Sequence, residues 1–321
     1  MTESVPVSPL ASPHPEAPRV AIVVPAYNES ENMPELFGEL ADTIRRARLD
    51  AEVILVDDGS VDGTTDAARA AAADSGQGRV TLLRHRRNRG KTAALLTAAR
   101  ASRAEYLVLF DADLQHATDE IPRFVGKLEE GWDVVTGRKV GRYEKRLVSG
   151  FYNWLSRVVF RVPVHDLNAM KAFRRSILDE IHLRRDWHRF LVVLAFARGF
   201  RVTEIDIALH PRRHGRPKYS GRGRILVGTL DLLSVWFQLV FSRKPMLFFG
   251  FSGLSLIALG GLTGLVALYL RFVAGTGFRP LLTLVVLLVL VGMLLFVVGL
   301  LAELIAGLRG EIEELRRDLQ A

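Results

Sequence analysis

The sequence predicts an α/β protein: a mainly parallel sheet covered by helices on both faces, followed by two helices that cross a membrane. Short apolar runs alternate with helical patterns from Arg19 onward. Polar motifs stand directly after successive runs, the place where open α/β sheets bind ligands. Two long uncharged apolar stretches lie near the C-terminus. The 321 residues leave room for a catalytic domain and a membrane part. With no cysteine, the chain has no disulfide, thiolate metal site or cysteine nucleophile. A formal charge of +8 points to an anionic partner: nucleic acid, lipid headgroups or phosphorylated substrates.

Residues 1–18 hold five prolines and little aliphatic bulk, so they are expected to be a disordered tail. They lack the basic start and apolar core of a signal peptide, so the soluble part is expected to stay on the side of the membrane where it is made. Val20–Val24 is apolar throughout and ends at Pro25, as a strand buried on both faces does. A helix follows over about Glu31–Arg48, with Asn28 or Ser30 as its cap. The second strand, Glu52–Val56, runs into Asp57-Asp58-Gly59-Ser60, and an alanine-rich helix reaches about Ala73. Val80–Leu83 is the third strand, followed by Asn88-Arg89-Gly90-Lys91 and a helix over Thr92–Ser102.

The fourth strand, Tyr106–Phe110, delivers Asp111-Ala112-Asp113-Leu114-Gln115-His116. Alternate residues of an extended chain share a face, so Asp111 and Asp113 converge across the small Ala112. Close carboxylates repel unless a cation neutralises them, and hard oxygen ligands suit Mg²⁺ or Mn²⁺. The pair reads either as a divalent-metal site holding a diphosphate or as an exposed acidic loop without a ligand.

Further along, Thr118 caps a helix over about Asp119–Glu130, and Trp132–Gly137 is another strand. Arg138, Lys139, Arg142, Lys145 and Arg146 then crowd together ahead of an amphipathic helix over Leu147–Phe160. His165-Asp166-Leu167-Asn168 leads into a strand ending at Arg174-Arg175, and two helices and a strand, Val202–Ile207, complete the soluble domain. His210–Arg224 has six Arg or Lys residues and no acid, a composition suited to a loop that orders over an anion.

Residues 222–244, with Trp236 and Phe237, read as an interfacial helix or as a helix of the soluble core. Met246–Leu270 and Leu281–Ala302 are each long enough to cross about 30 Å of hydrocarbon. Basic residues flank both outer ends of this hairpin (Arg222, Arg224, Arg243 and Lys244 before it; Arg309, Arg316 and Arg317 after it), so both termini and the soluble domain are expected to be cytoplasmic. Glu303–Ala321 reads as a separate charged helix, either a short coiled coil or an oligomer contact.

Val24-Pro25-Ala26-Tyr27-Asn28-Glu29, Val56-Asp57-Asp58-Gly59-Ser60-Val61-Asp62-Gly63-Thr64 and Asp111-Ala112-Asp113-Leu114-Gln115-His116 together resemble the ordered signature of family 2 glycosyltransferases with a GT-A fold. With Asp166-Leu167-Asn168 and the terminal spans, the chain is similar to the group acting on polyprenyl phosphates, such as dolichyl-phosphate mannose synthases and undecaprenyl-phosphate glucosyltransferases. The resemblance covers about residues 19–240 in motifs and the hairpin in architecture. It implies a GT-A domain over 19–221, a UDP- or GDP-linked sugar donor and a polyprenyl-phosphate acceptor. It also implies an integral protein of the bacterial inner membrane. Pro25, Tyr27, Glu29 and Asp57 would receive the nucleoside, while Asp58 reads equally as a cap of the Asp-Gly-Ser turn. Asp111, Asp113 and Gln115 would set Mg²⁺ or Mn²⁺ on the diphosphate, with Ala112 against the donor. Lys91 would approach the phosphates or serve the fold, and Arg213 and Lys218 would close over them. Arg138, Arg142, Lys145, Arg146 and Ser149 would bind the lipid phosphate, and Asp166 would orient or assist the acceptor or cap its own loop.

The expected reaction moves a hexose, from UDP-glucose or GDP-mannose, with inversion. A processive polysaccharide synthase of the same superfamily is the rival enzyme, but the chain lacks a Gln-x-x-Arg-Trp motif and further spans. A catalytically dead membrane scaffold sits poorly with the intact acidic loop. No nucleic-acid partner is expected, because the basic runs lack interleaved aromatics.

Overall fold

The computed structural model describes residues 5–6, 17–140, 160, 162–167, 169–181, 183–184, 186–213, 233–235, 237, 245–277 and 279–318. The chain divides into two compact units, Met1–Ile225 and Leu226–Ala321.

The sheet of the first unit takes its strands in chain order as β1 (Val5–Pro6), β2 (Val20–Ala26), β3 (Ala51–Asp57), β4 (Val80–Arg84), β5 (Tyr106–Leu109), β6 (Val134–Val140), β7 (Lys171–Arg174) and β8 (Val202–Ala208). Their spatial order is β1-β4-β3-β2-β5-β7-β6-β8. The central strands β4, β3, β2 and β5 are parallel, β7 is antiparallel to both β5 and β6, and β6 and β8 are parallel. β1 pairs antiparallel with the outer edge of β4. The apolar runs read from the sequence are the central strands, and Ile22, Val23, Val24, Ile54 and Val108 are completely buried.

Helices α1 (Met33–Arg46), α2 (Thr64–Asp74), α3 (Lys91–Ala101) and α4 (Glu120–Glu129) follow strands β2 to β5. α1 shows why such a helix docks: Met33, Leu36, Phe37, Leu40 and Ile44 recur at helical spacing and are all buried. Two expected caps are corrected. The residue preceding α1 is Asn32, with no side-chain cap bond, after a 3-10 turn over Ser30–Asn32. Asn28 has a left-handed φ of 51° and accepts the Val61 amide, and the Ser30 amide donates to Asp62, so both belong to the loop network. Asp119 precedes α4, and the Thr118 hydroxyl instead meets Thr43 of α1 at 2.8 Å.

Because β2 to β5 are parallel, their C-terminal ends open on one edge. Val140 ends β6 at that edge, and the antiparallel β7 begins there, with Lys171 in register with Leu109 and Thr136. The short α5 (Ile177–Glu180) and α6 (Leu191–Ala197) close the unit.

Gly59 fixes how two edge loops meet. Its φ is +79°, and a Cβ there would lie 2.7 Å from the Arg87 carbonyl carbon and 2.9 Å from the Asn88 nitrogen. Gly63 shares the left-handed φ, at +83°, but a Cβ there would meet nothing within 4 Å.

The second unit contains α7 (Pro245–Phe272) and α8 (Arg279–Asp318), both long and apolar enough to cross a membrane. A Cβ at Gly253 would lie 2.6 Å from the Gly292 carbonyl oxygen, and one at Gly292 would lie 2.7 Å from the Gly253 carbonyl oxygen. The helix backbones therefore touch through small residues, as apolar spans do when packing replaces hydrophobic association. Leu262, Leu265, Leu287 and Leu294 face outward. The expected separate helix over 303–321 is corrected: α8 continues through Glu303 to Asp318. The change at Glu303 is one of polarity, with no helix-breaking proline after Pro280. Glu303 also accepts the Met246 amide at 3.1 Å, satisfying an unpaired donor in the first turn of α7. Most of the predicted helices over 147–160 and 222–244 lies outside the described residues.

Ala at Gly59 and Ala at Gly63 should separate strain from collision. Both carry a left-handed penalty of about 1–2 kcal/mol, and Gly59→Ala adds the backbone clash. Thermal unfolding in detergent should give a lower midpoint for Gly59→Ala than for Gly63→Ala; equal midpoints contradict the close approach.

Candidate active site

The loop after β5 turns sharply. Leu114 has φ +53° and is buried, a conformation that costs a β-carbon-bearing residue energy and is kept where surrounding structure holds it. The turn sets Asp111 and Asp113 side by side at the sheet edge, where each carboxylate meets a cation. Lys91 Nζ, from the first residue of α3, donates to Asp111 Oδ1. Arg212 Nη2 donates to Asp113 Oδ2 at 2.7 Å, and the Gln115 amide donates to Asp113 Oδ1 at 3.3 Å.

The segment carrying Arg212 is tied across the loop. The His210 amide donates to the Gln115 carbonyl at 2.8 Å, and Gln115 Nε2 donates to the His210 carbonyl at 3.4 Å. Arg213 reaches the other way, to Glu35 and to Glu39 at 2.8 Å on α1.

The neighbouring loops are held by the Asp57-Asp58 pair, whose two roles the structure separates. Asp57 Oδ1 accepts the Ser60 amide at 2.8 Å and Oδ2 accepts the Thr65 hydroxyl, closing its own turn. Asp58 ties the loop after β4: it meets His85 Nδ1 at 2.6 Å and accepts the amides of Arg89 at 2.9 Å and Gly90 at 2.7 Å. Lys91 thus begins α3 from a backbone fixed by Asp58. On the β2 loop, the Glu29 amide donates to Thr64 Oγ1 at 2.9 Å, and Glu29 Oε2 accepts Asn32 Nδ2 at 2.6 Å. Pro25 and Tyr27 are half-buried beside them, and Ala112 is buried under the acidic loop.

Behind the loop lies a buried group of basic side chains. Lys171 is fully buried, and its ammonium donates to the Ala169 carbonyl at 3.0 Å. Burial and the charge of Lys91 push it down to about 7, against the pull of Asp166 and Asp111. Lys139 lies 3.6 Å from Asp166, which is itself buried. Burial pushes His116 down to about 4 despite Asp111, and its Nδ1 has no hydrogen-bond partner among the described residues. His188 is lowered well below the usual imidazole range by burial, Lys91 and Lys171. Burial raises Asp111, but the charge and hydrogen bond of Lys91 outweigh it and hold the carboxyl low. Asp113 is raised, by burial and by Asp111, against the pull of Arg212.

Among the described residues no group of three or more His, Asp or Glu forms a closed metal site. Two adjacent carboxylates nevertheless fit Mg²⁺ or Mn²⁺, because such ions take one or two protein carboxylates and complete their shell with phosphate oxygens and water. A cavity of about 330 Å³ between α1 and the far side of the acidic loop is lined by Glu39, Arg46, Leu114, His116, His210 and Arg213 among others. Arg46 and Arg213 are already paired there with Asp119 and Glu39, and neither Asp111 nor Asp113 lines it.

The family model "Glycosyl transferase family 2" matches residues 21–183, the stretch that contains the β2, β3 and β5 loops. The chain belongs to glycosyl transferase family 2. It is 34% identical to the dodecaprenyl-phosphate galacturonate synthase of Rhizobium johnstonii, over 89% of this chain and 87% of that protein. It is 32% identical to the undecaprenyl-phosphate 4-deoxy-4-formamido-L-arabinose transferase of Pseudomonas fluorescens, over 80% of this chain and 74% of that one. Glucosyl-3-phosphoglycerate synthase from Mycobacterium tuberculosis, solved with Mg²⁺ and uridine diphosphate, shares the fold, with a TM-score of 0.53 and 21% identity over 68% of this chain and 80% of that one. As a family 2 member, the protein is a glycosyltransferase with a GT-A-type sheet.

Of the residues named from the sequence, Asp111, Asp113, Gln115 and Lys91 come together, and Asp166 lies near the same edge through Lys139. Arg138 is drawn onto β8, forming a forked pair with Asp206 at 2.5 and 2.8 Å and lying 3.6 Å from Glu204. Arg142, Lys145, Arg146, Ser149 and Lys218 lie outside the described residues. Sequence reasoning passed over Arg212 in favour of its neighbour Arg213. It also missed Lys171, whose signal was a lone lysine between the apolar Ala169-Met170 and Ala172-Phe173.

Lys171→Met tests the buried charge. An unfolded lysine binds its proton up to about 10.4, whereas folded Lys171 gives it up near 7. Stability therefore rises with pH across that window. The variant should be more stable at pH 7, by roughly 1–3 kcal/mol, and its advantage should shrink toward pH 10. Thermal midpoints across this range check it, and a pH-independent difference contradicts it.

Proposed function

We propose that this glycosyltransferase moves a sugar from a nucleotide sugar to the phosphate of a polyprenyl phosphate at a membrane surface. The observation carrying this reading is the acidic loop of Asp111 and Asp113, set among cations at the open end of a nucleotide-sugar fold whose chain continues into two spans. The names of the two relatives support the acceptor class.

In this reading the loops after β2 and β3, with Tyr27, Glu29 and Asp57, face the nucleoside, and Asp111 and Asp113 face the diphosphate. These carboxylates would hold a divalent ion, Mg²⁺ or Mn²⁺, which would supply charge stabilisation for the departing nucleoside diphosphate. An oxygen of the acceptor phosphate attacks the anomeric carbon from the face opposite the leaving group. The new bond forms as the bond to the diphosphate oxygen breaks, and the sugar inverts. The phosphate's second pKa is about 6, so the nucleophile is already anionic and no strong base is needed. Asp166, buried beside Lys139, orients the acceptor, while Lys139 faces its negative charge.

The donor expected from sequence is UDP-glucose or GDP-mannose; the relatives' names add galacturonate and 4-deoxy-4-formamido-L-arabinose to the class. In this reading the two spans hold the enzyme in a membrane, with the soluble unit on the cytoplasmic side; their length and apolar composition support it.

Membranes containing the protein, incubated with undecaprenyl phosphate, Mg²⁺ and each labelled donor in turn, should give a labelled lipid from one of them. Asp113→Asn should lower that yield about a hundredfold or more while leaving the protein inserted and folded. A folded protein that labels no lipid with any of these donors contradicts the reading.

A further inference from the structure

Asp111 and Asp113 are held by two different kinds of cation from two distant parts of the chain. Lys91 comes from the first turn of α3, and Arg212 comes from the segment after β8. Asp113 is largely shielded from water and Asp111 partly so, with side-chain exposures of 12% and 31%. Two adjacent carboxylates in such a place need positive charge, and the chain provides it from its own side chains.

That provision sets a problem for metal entry. With the two carboxylates already neutralised, a divalent ion alone leaves an excess of two positive charges beside Lys91 and Arg212. The donor's diphosphate alone, esterified at both ends and carrying one charge per phosphate, leaves an excess of two negative charges beside the acids. Only metal and diphosphate together restore neutrality, and a partly dry site penalises either imbalance.

The surroundings allow a local exchange of partners. Lys91 projects from a backbone that Asp58 clamps through the Arg89 and Gly90 amides, so its side chain alone has to turn. Arg212 lies between two anchors, the two His210–Gln115 bonds, one between backbones and one from the Gln115 side chain, and the Arg213 contacts to Glu35 and Glu39. When Arg212 releases Asp113, these anchors keep the guanidinium within reach of a ligand on the same carboxylates.

We propose that Lys91 and Arg212 are internal counter-ions of the metal site: they occupy Asp111 and Asp113 until the donor arrives, then pass to its diphosphate as the metal takes the carboxylates. Metal and nucleotide consequently bind as one unit, and the 209–213 segment senses the exchange because Arg212 belongs to it. The inference rests on the proposed metal–diphosphate site and adds the residues that couple its two ligands.

The test is Mn²⁺ binding to the full-length protein in detergent, read from the electron paramagnetic resonance signal of free Mn²⁺, with and without UDP or GDP. In the wild type the nucleotide should tighten Mn²⁺ at least tenfold. Arg212→Gln should bind Mn²⁺ alone several-fold more tightly than the wild type and lose most of the nucleotide-induced gain. Arg212→Lys should retain it. Lys91→Gln removes the other counter-ion and should shift both quantities the same way, an independent reading should one variant fail to fold. Folded variants with unchanged or weaker Mn²⁺ binding alone and an unchanged nucleotide gain overturn the proposal. A folded wild type that binds no Mn²⁺ with either nucleotide overturns the site on which it rests.

Discussion

Two carboxylates at the end of one strand set the electrostatic problem that the rest of the catalytic unit answers. Asp113 is largely buried and Asp111 stands half-buried beside it, so the pair needs cations within contact distance or a proton in place of one charge. α3 supplies Lys91 and the segment after β8 supplies Arg212, while Lys139 behind them pairs with Asp166. The parallel sheet makes this possible, because it brings four loops and the start of the antiparallel β7 to one edge. The turns are equally committed: Gly59 lets two loops touch, and Asp58 fixes the origin of α3.

The central strands and the helices after them were legible in the sequence because their signals are local. A strand buried on both faces reads as an unbroken apolar run, and α1 declares its buried face at helical spacing. The acidic loop was legible for the same reason, since both carboxylates come from a few consecutive residues. Arg212 was not. Its partner lies 99 positions earlier, and among six basic residues in one stretch nothing local marks which will reach the acids. The roles of Asp57 and Asp58 likewise separate only in three dimensions, where one closes its own turn and the other holds His85 and the amides before α3. The cap assignments failed where tertiary contacts outcompeted the helix end, Asn28 bonding the next loop and Thr118 a threonine of α1. The boundary placed at Glu303 mistook a change of polarity for a change of backbone.

The membership in family 2 and the two polyprenyl-phosphate relatives fit this picture of a water-soluble donor meeting a lipid acceptor. In the proposed exchange, metal, diphosphate and the two internal cations form one balanced set, so that donor recognition and activation would share the same charges. The helices α7 and α8, in contact through Gly253 and Gly292, are long and apolar enough to provide the membrane attachment that the proposed acceptor requires.

The central claim is that the donor's diphosphate and a divalent ion meet on Asp111 and Asp113. Phosphorus-31 electron–nuclear double resonance on the full-length protein with Mn²⁺ and its nucleoside diphosphate measures this directly. The account predicts hyperfine coupling to phosphorus at bonding distance, lost together with bound Mn²⁺ in Asp111→Asn. Bound Mn²⁺ without phosphorus coupling, or with coupling untouched by that substitution, would contradict it.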